Sequence, residues 1–187
     1  MSAAYQPWSY PASSGNDSVG VSAGGEEWFA VQTRARHEKV IAQRLCYKGI
    51  TTFLPLVREV RGWSDRKKLV ELPLFSCYVF AKLLPAGPDR LRTLQVDGVL
   101  SFVGSGFGTP IPENQIDAVR KLVEEELPYS FCPFLKIGQR VRIRSGALDG
   151  VEGILIARSG ERTLVVSIDA IQRSLAVRIE GYNVESV

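Results

Sequence analysis

Two kinds of hydrophobic periodicity divide this chain. Up to about residue 127, short apolar strand-like runs alternate with stretches of helical period. Beyond residue 135 only the two-residue strand period remains. Residues 1–25 have neither. They are rich in Ser, Ala, Gly and Pro, hold no Lys or Arg, and read as a disordered tail. The first expected strand is "EWFAVQT", residues 27–33, followed by the helical "ARHEKVIAQRLCYKG", with Val40, Ile41, Leu45 and the Lys48 stem on one side and Gly49 as its stop. "ITTFLPLVREV" is extended, with a break at Pro55. "RGWSDRKK" is a polar turn or hairpin tip, and "LVELPLFSCYVFAKL" returns as strand. In that strand, strict alternation places Phe75, Cys77, Val79 and Ala81 on one face and Ser76, Tyr78, Phe80 and Lys82 on the other. Tyr78 and Phe80 are large rings where a solvent face would be polar, so either both faces are covered or an apolar patch awaits a partner. A short helix ("PDRLRTLQV"), a strand ("GVLSFVGSG") and a helix ("PENQIDAVRKLVEEEL") complete an α+β unit.

The second half then reads as four short strands, "QRVRIRS", "VEGILIA", "TLVVSID" and "LAVRIEG", the signature of a small β-barrel. The resulting division is a tail at 1–25, a first domain at 26–127, a linker at 128–135 around "PYSFCPFL" and a barrel at 136–187. Gly146 and Gly150 suit turn positions. Gly153 lies inside a strand pattern, where a bulge or tight packing calls for it.

Charge sharpens this picture. The net charge of the 187 residues is only +3. Residues 34–68 nevertheless hold ten Lys and Arg against Glu38, Glu59 and Asp65, which is 10 − 3 = +7, whereas residues 113–126 total −3. A localised basic segment in a nearly neutral chain points to one face for a polyanion. The three cysteines, Cys46, Cys77 and Cys132, are widely spaced and odd in number, which fits reduced thiols in a cytoplasm. No secretory signal and no bilayer-length apolar run is expected.

Chemistry is sparse. His37 is the single histidine, no His or Cys pair has metal-ligand spacing, and there is no nucleophile elbow. "GSGFG", residues 104–108, lacks both the Lys-Ser/Thr pair and the directly following helix of the phosphate loops. A binding protein with no cofactor or metal is expected, rather than an enzyme.

The ordered set "EWFAVQT", basic helix, "TTFLPL", "ELPLFSCYVF" and "GVLSFVG" resembles the N-terminal (NGN) domain of NusG-type transcription factors. "GQRVRIRSGALDGVEGIL" resembles the KOW motif of the same family. The "REVRGWSDRKKLVELPLF" stretch is closer to specialised RfaH-like and UpxY-like antiterminators than to housekeeping NusG. The resemblance implies an NGN-type α/β sandwich followed by an SH3-like KOW barrel, and a monomeric factor of transcription elongation or antitermination. It also implies an aromatic depression gripping the clamp coiled coil of the largest RNA polymerase subunit, at Phe75, Tyr78, Phe80 and Phe102. Arg34, Arg36 and His37 match the segment that meets upstream or non-template DNA. Gly146, Leu148, Gly150 and Gly153 carry the KOW motif, whose barrel in the family engages ribosomal protein S10 or the termination factor Rho. Ser76-Cys77 stands where the family commonly has Pro-Gly or Pro-Asn, and Gly146-Ala147-Leu148 where Gly-Pro-Leu is frequent. A KOW-type, RNA-binding, ribosome-associated protein is the alternative reading.

Overall fold

A computed structural model describes residues 25–63, 66–132, 134, 138–158 and 161–187. The expected tail, the hairpin tip at residues 64–65 and part of the expected linker lie outside them. The described residues fall into two compact units that divide between Pro110 and Ile111. It is α+β, with a strand-rich second unit, as the periodicity indicates.

In the first unit β1 (Glu27–Thr33), α1 (Glu38–Tyr47), β2 (Thr51–Phe53), β3 (Leu56–Trp63), β4 (Arg66–Pro73), β5 (Tyr78–Leu83), α2 (Asp89–Leu94) and β6 (Val99–Phe102) follow in order. The antiparallel sheet runs β2-β5-β1-β6, while β3 and β4 form a separate two-stranded sheet. Alternation along β1 and β5 gives this sheet two apolar faces. Phe29, Val31, Val79 and Leu83 pack with Ile41 and Leu45 of α1 in one core, each no more than 1% exposed. The α1 stripe differs from the expected one. Glu38 and Ala42 are buried with Ile41 and Leu45, and Val40 is 44% exposed. Most of the expected polar turn at 61–68 is strand, because the β3–β4 ladder continues out to Trp63 opposite Arg66.

β7 (Pro110–Ile111) pairs with β1 and ends the first sheet. The second unit then holds α3 (Glu113–Glu124), β8 (Tyr129–Cys132), β9 (Gln139–Ile143), β10 (Glu152–Arg158), β11 (Glu161–Ile168), β12 (Arg173–Arg178) and β13 (Val184–Ser186). Their sheet order is β13-β9-β10-β11-β12-β8. Two features differ from the periodicity reading. Residues 129–132, read as linker, pair with β12 from Cys132↔Ser174 to Tyr129↔Val177. α3, read as part of the first domain, lies against β10 and β11. Its Gln115 side-chain amide donates to Asp169 Oδ2 at 3.1 Å and accepts the Asp169 backbone N–H at 3.0 Å.

Candidate functional site

The sheet face away from α1 is built of rings. β1 and β5 pair so that Trp28 opposes Lys82, Ala30 opposes Phe80 and Gln32 opposes Tyr78, while Phe53 of β2 opposes Phe80 from the other side. Phe53 stacks on Phe80 at 6.1 Å between centroids, Trp28 meets Phe53 edge-on at 6.5 Å, and Phe75 meets Phe80 edge-on at 6.1 Å. Such offset and edge-to-face pairs are the favoured geometries of aromatic clusters. The Lys82 ammonium sits 5.7 Å from the Trp28 ring.

Phe75 joins this face because the strand does not run through it. Cys77 is in the left-handed region, φ +69°. Its N–H donates to the carboxylate of buried Glu38 at 2.7 Å, and its carbonyl accepts from Thr33 N–H at 2.9 Å. This turn reverses the alternation expected for residues 75–77. Phe75 is 4% and Phe80 0% exposed, while Tyr78 is half-buried. Phe102 is elsewhere. It opposes Val31 in register, so it lies on the α1 side, edge-on to Phe29 at 6.1 Å and with the Arg90 guanidinium 4.2 Å from its ring. The expected aromatic set is therefore split. Phe75, Tyr78 and Phe80 share a face with Trp28 and Phe53, and Phe102 belongs to the opposite core. Trp28 was the readable addition, since "EWFAVQT" is apolar on both of its faces.

Arg34, Arg36 and His37 come together in the β1–α1 connection, all exposed. Arg36 is in the left-handed region at φ +66°, and His37 Nδ1–H donates to the Ala35 carbonyl at 3.0 Å. Folding adds a group that spacing did not reveal. Arg34 N–H donates to Gly98 O at 2.8 Å, which brings the Asp97 carboxylate to 3.5 Å from Arg34 and 3.7 Å from Arg44. The loop thus presents a cationic surface containing one solvent-exposed anion.

Of the residues expected to carry the KOW motif, Gly146, Leu148 and Gly150 lie in the turn before β10 and Gly153 lies within β10. Gly146 (φ +72°) and Gly150 (φ +81°) adopt conformations that favour glycine, and Gly150 N–H returns to Ile143 O at 2.8 Å. Leu148 is fully buried beneath this turn. At Gly153 the cause is close approach: a β-carbon would lie 2.5 Å from the Val165 carbonyl oxygen on β11. Nearby, Arg142 Nε donates to Glu152 Oε1 at 2.8 Å, holding that carboxyl below its usual range.

Among the described residues no group of His, Cys, Asp and Glu has the makings of a metal site, and no helix is long and apolar enough to cross a membrane. A cavity of about 200 Å³ opens between α1 and β2–β4, lined by Val40, Cys46, Leu54, Leu56 and Glu71 among others. It gathers none of the expected site residues.

The family model described as "NusG: Transcription termination factor nusG" matches residues 26–120. The chain is 28% identical over 186 residues to the transcription termination/antitermination protein NusG of Borreliella burgdorferi, with 86% of this chain and 98% of that protein covered. It is 26% identical over 177 residues to the protein of the same name from Lactococcus lactis, with 86% and 92% covered. Among solved structures, "Domain interaction in Thermotoga maritima NusG" aligns at 23% identity and a TM-score of 0.46, covering 87% of this chain and 97% of that one.

Proposed function

The chain belongs to the NusG family of transcription factors, and from that premise we propose that it is an elongation or antitermination factor whose first unit grips the clamp coiled coil of RNA polymerase. Half-buried Tyr78, at the edge of the Trp28–Phe53–Phe75–Phe80 cluster, is the observation that carries this reading. A half-exposed tyrosine on the same sheet face as a packed aromatic cluster has the character of an interface anchor. Phe75 and Phe80, buried on the same face, form the apolar base beside it. Phe102, on the other face, takes no part in it.

The factor makes and breaks no bond. It prefers the closed clamp and stabilises that state by its differential affinity. Arg34, Arg36 and His37 meet upstream or non-template DNA through phosphate contacts that carry no sequence preference of their own. The second unit, through the KOW turn at Gly146–Gly153, recruits a further protein partner, ribosomal protein S10 or Rho. Tethering to the polymerase raises its effective concentration.

The decisive experiment measures affinity of the full-length chain for core RNA polymerase. Tyr78→Ala is expected to weaken it by about tenfold, equivalent to ~1.4 kcal/mol, with the circular dichroism spectrum unchanged. A folded Tyr78→Ala chain that binds polymerase as tightly as wild type removes the clamp assignment.

A further inference from the structure

β8 covers one edge of β12 without entering the core of the second unit. On its other side β12 is held by six paired positions with β11, from Thr163↔Arg178 to Ile168↔Arg173, and its Ser174, Leu175 and Val177 are each 1% exposed. β8 pairs with β12 at four positions, and none of its four side chains is fully buried. Ser130 and Phe131 are exposed, Phe131 at 59%, while Tyr129 and Cys132 are half-buried. β8 ends the sheet order, so among the described residues no strand pairs with its outer edge. Pro128, which has no N–H to donate, precedes it and keeps the ladder short.

The register says what β8 supplies. Tyr129 opposes Val177 and Phe131 opposes Leu175, so two rings two residues apart lie beside the two apolar residues of β12. The rings meet edge-on, with 5.8 Å between centroids. Ser130 and Cys132 fall on the other face, opposite Ala176 and Ser174. β12 does not depend on this cover, because its ladder with β11 remains when β8 lifts away. Lifting leaves four residues of open backbone beside an apolar pair. Such an edge is a template for an added strand: main-chain hydrogen bonds give affinity, and alternate side chains give specificity.

We propose that the β12 edge, residues 174–177, docks an extended segment of a protein partner with two large apolar or aromatic residues two positions apart, and that β8 is the built-in competitor for that edge. Exchanging one strand for another conserves the backbone hydrogen bonds, so the partner displaces β8 only by a better side-chain fit. A tethered competitor acts at high effective concentration and lowers the partner's apparent affinity by the fraction of edges that stand open. Segments that match β12 poorly are thereby refused. This rests on the recruitment half of the proposed function and gives it a mode and a place separate from the KOW turn.

Two measurements on the full-length chain test it. In native-state hydrogen exchange, the amides of residues 130–132 should exchange at least ~100-fold faster than those of Leu164, Val165 and Val166 in β11, by an opening smaller than global unfolding. Exchange of β8 only with global unfolding overturns the proposal. The second measurement is fluorescence anisotropy of a labelled peptide copying residues 127–133 with Cys132→Ser. Tyr129→Ser/Phe131→Ser in the chain weakens the competitor and should tighten peptide binding about tenfold or more. Ser174→Cys puts a thiol directly opposite Cys132, across the ~4.5–5.5 Å between opposed Cα atoms that a disulfide spans. Oxidation, confirmed by peptide mapping, should abolish peptide binding, and reductant should restore it. Equal binding by the oxidised and reduced chains overturns the proposal, as does a double variant that gains nothing. If purified S10 or Rho binds the oxidised chain as well as the reduced one, recruitment stands and the β12 edge is not its site. If the peptide behaves as expected while neither protein binds the chain, those partners fall and the strand-docking edge survives.

Discussion

At Cys77 a β-carbon is held in left-handed backbone, φ +69°, between two hydrogen bonds that fix the turn from both sides. That conformation costs an L-residue roughly 1–2 kcal/mol, partly offset by the greater unfolded-state entropy of the glycine that would avoid it. Cys77→Gly is therefore expected to stabilise the protein by about 0.5–1 kcal/mol, read as a higher urea midpoint with unchanged slope. A lower midpoint would mean that the half-buried thiol contributes more packing than the strain costs. No pattern of neighbours predicts a cysteine at positive φ, so alternation was carried through a turn that ends it. Gly146 and Gly150 were readable because Asp-Gly and flanking apolar runs mark turns. For Gly153 tight packing was one of two readable causes, and the backbone that presses on it belongs to a strand twelve residues on.

Elements were legible as elements; their partners were less so. Within β5 the two faces follow alternation from Tyr78 onward. Phe102 shows the limit of that argument, because parity within β6 says which residues share a side but not which side of the sheet it is. That depends on cross-strand register, and here the register shifts between Gln32 and Thr33. β8 hides between prolines and is a strand only because β12 offers it an edge. α3 has an evident apolar stripe with Pro112 at its entry, yet periodicity cannot say that polar residues of its first turns reach β10 and the Asp169 turn. Asn114 Nδ2 donates to Glu152 Oε2 at 3.2 Å, and Glu152 also accepts from Arg142. Hydrogen bonding from Arg142 is the main cause of that depressed carboxyl pKa; burial opposes it, and the charge of Arg142 and the Asn114 amide assist. A carboxylate depressed on folding stabilises the protein above its ordinary pKa, 4.5, and that contribution disappears as pH falls through the folded value. Glu152→Gln should therefore cost up to ~1 kcal/mol at pH 7, an upper figure for a partly exposed pair. Its deficit relative to wild type should shrink toward zero as pH falls below 4.5, followed by urea unfolding across the range. A deficit independent of pH would assign the loss to shape rather than charge.

At the scale of the whole molecule, the linear charge count overstates the potential of the segment it singles out. The sum of +7 over residues 34–68 includes no carboxylate from outside that window. Folding brings two in: Glu71 between Lys39 and Arg58, and Asp97 between Arg34 and Arg44. Asp97 matters more for nucleic acid, because the turn before β6 places it beside the loop proposed to face DNA and its side chain is 73% exposed. An exposed anion there repels phosphate and competes for both guanidinium groups, at a cost limited by solvent screening. Asp97→Asn leaves the Arg44 hydrogen bond to the Asp97 backbone carbonyl untouched and removes only the charge. Duplex affinity of the full-length chain should rise about two- to fivefold at ~50 mM salt, where the Debye length still exceeds the ion-pair distances, and the gain should vanish toward ~1 M. Asp117→Asn, which releases a carboxylate paired within α3 to Arg120, is the charge-matched control and should change nothing. If Asp97→Asn weakens binding instead, the carboxylate is orienting Arg34 rather than opposing phosphate, and the loop's contribution is one of geometry more than of net charge.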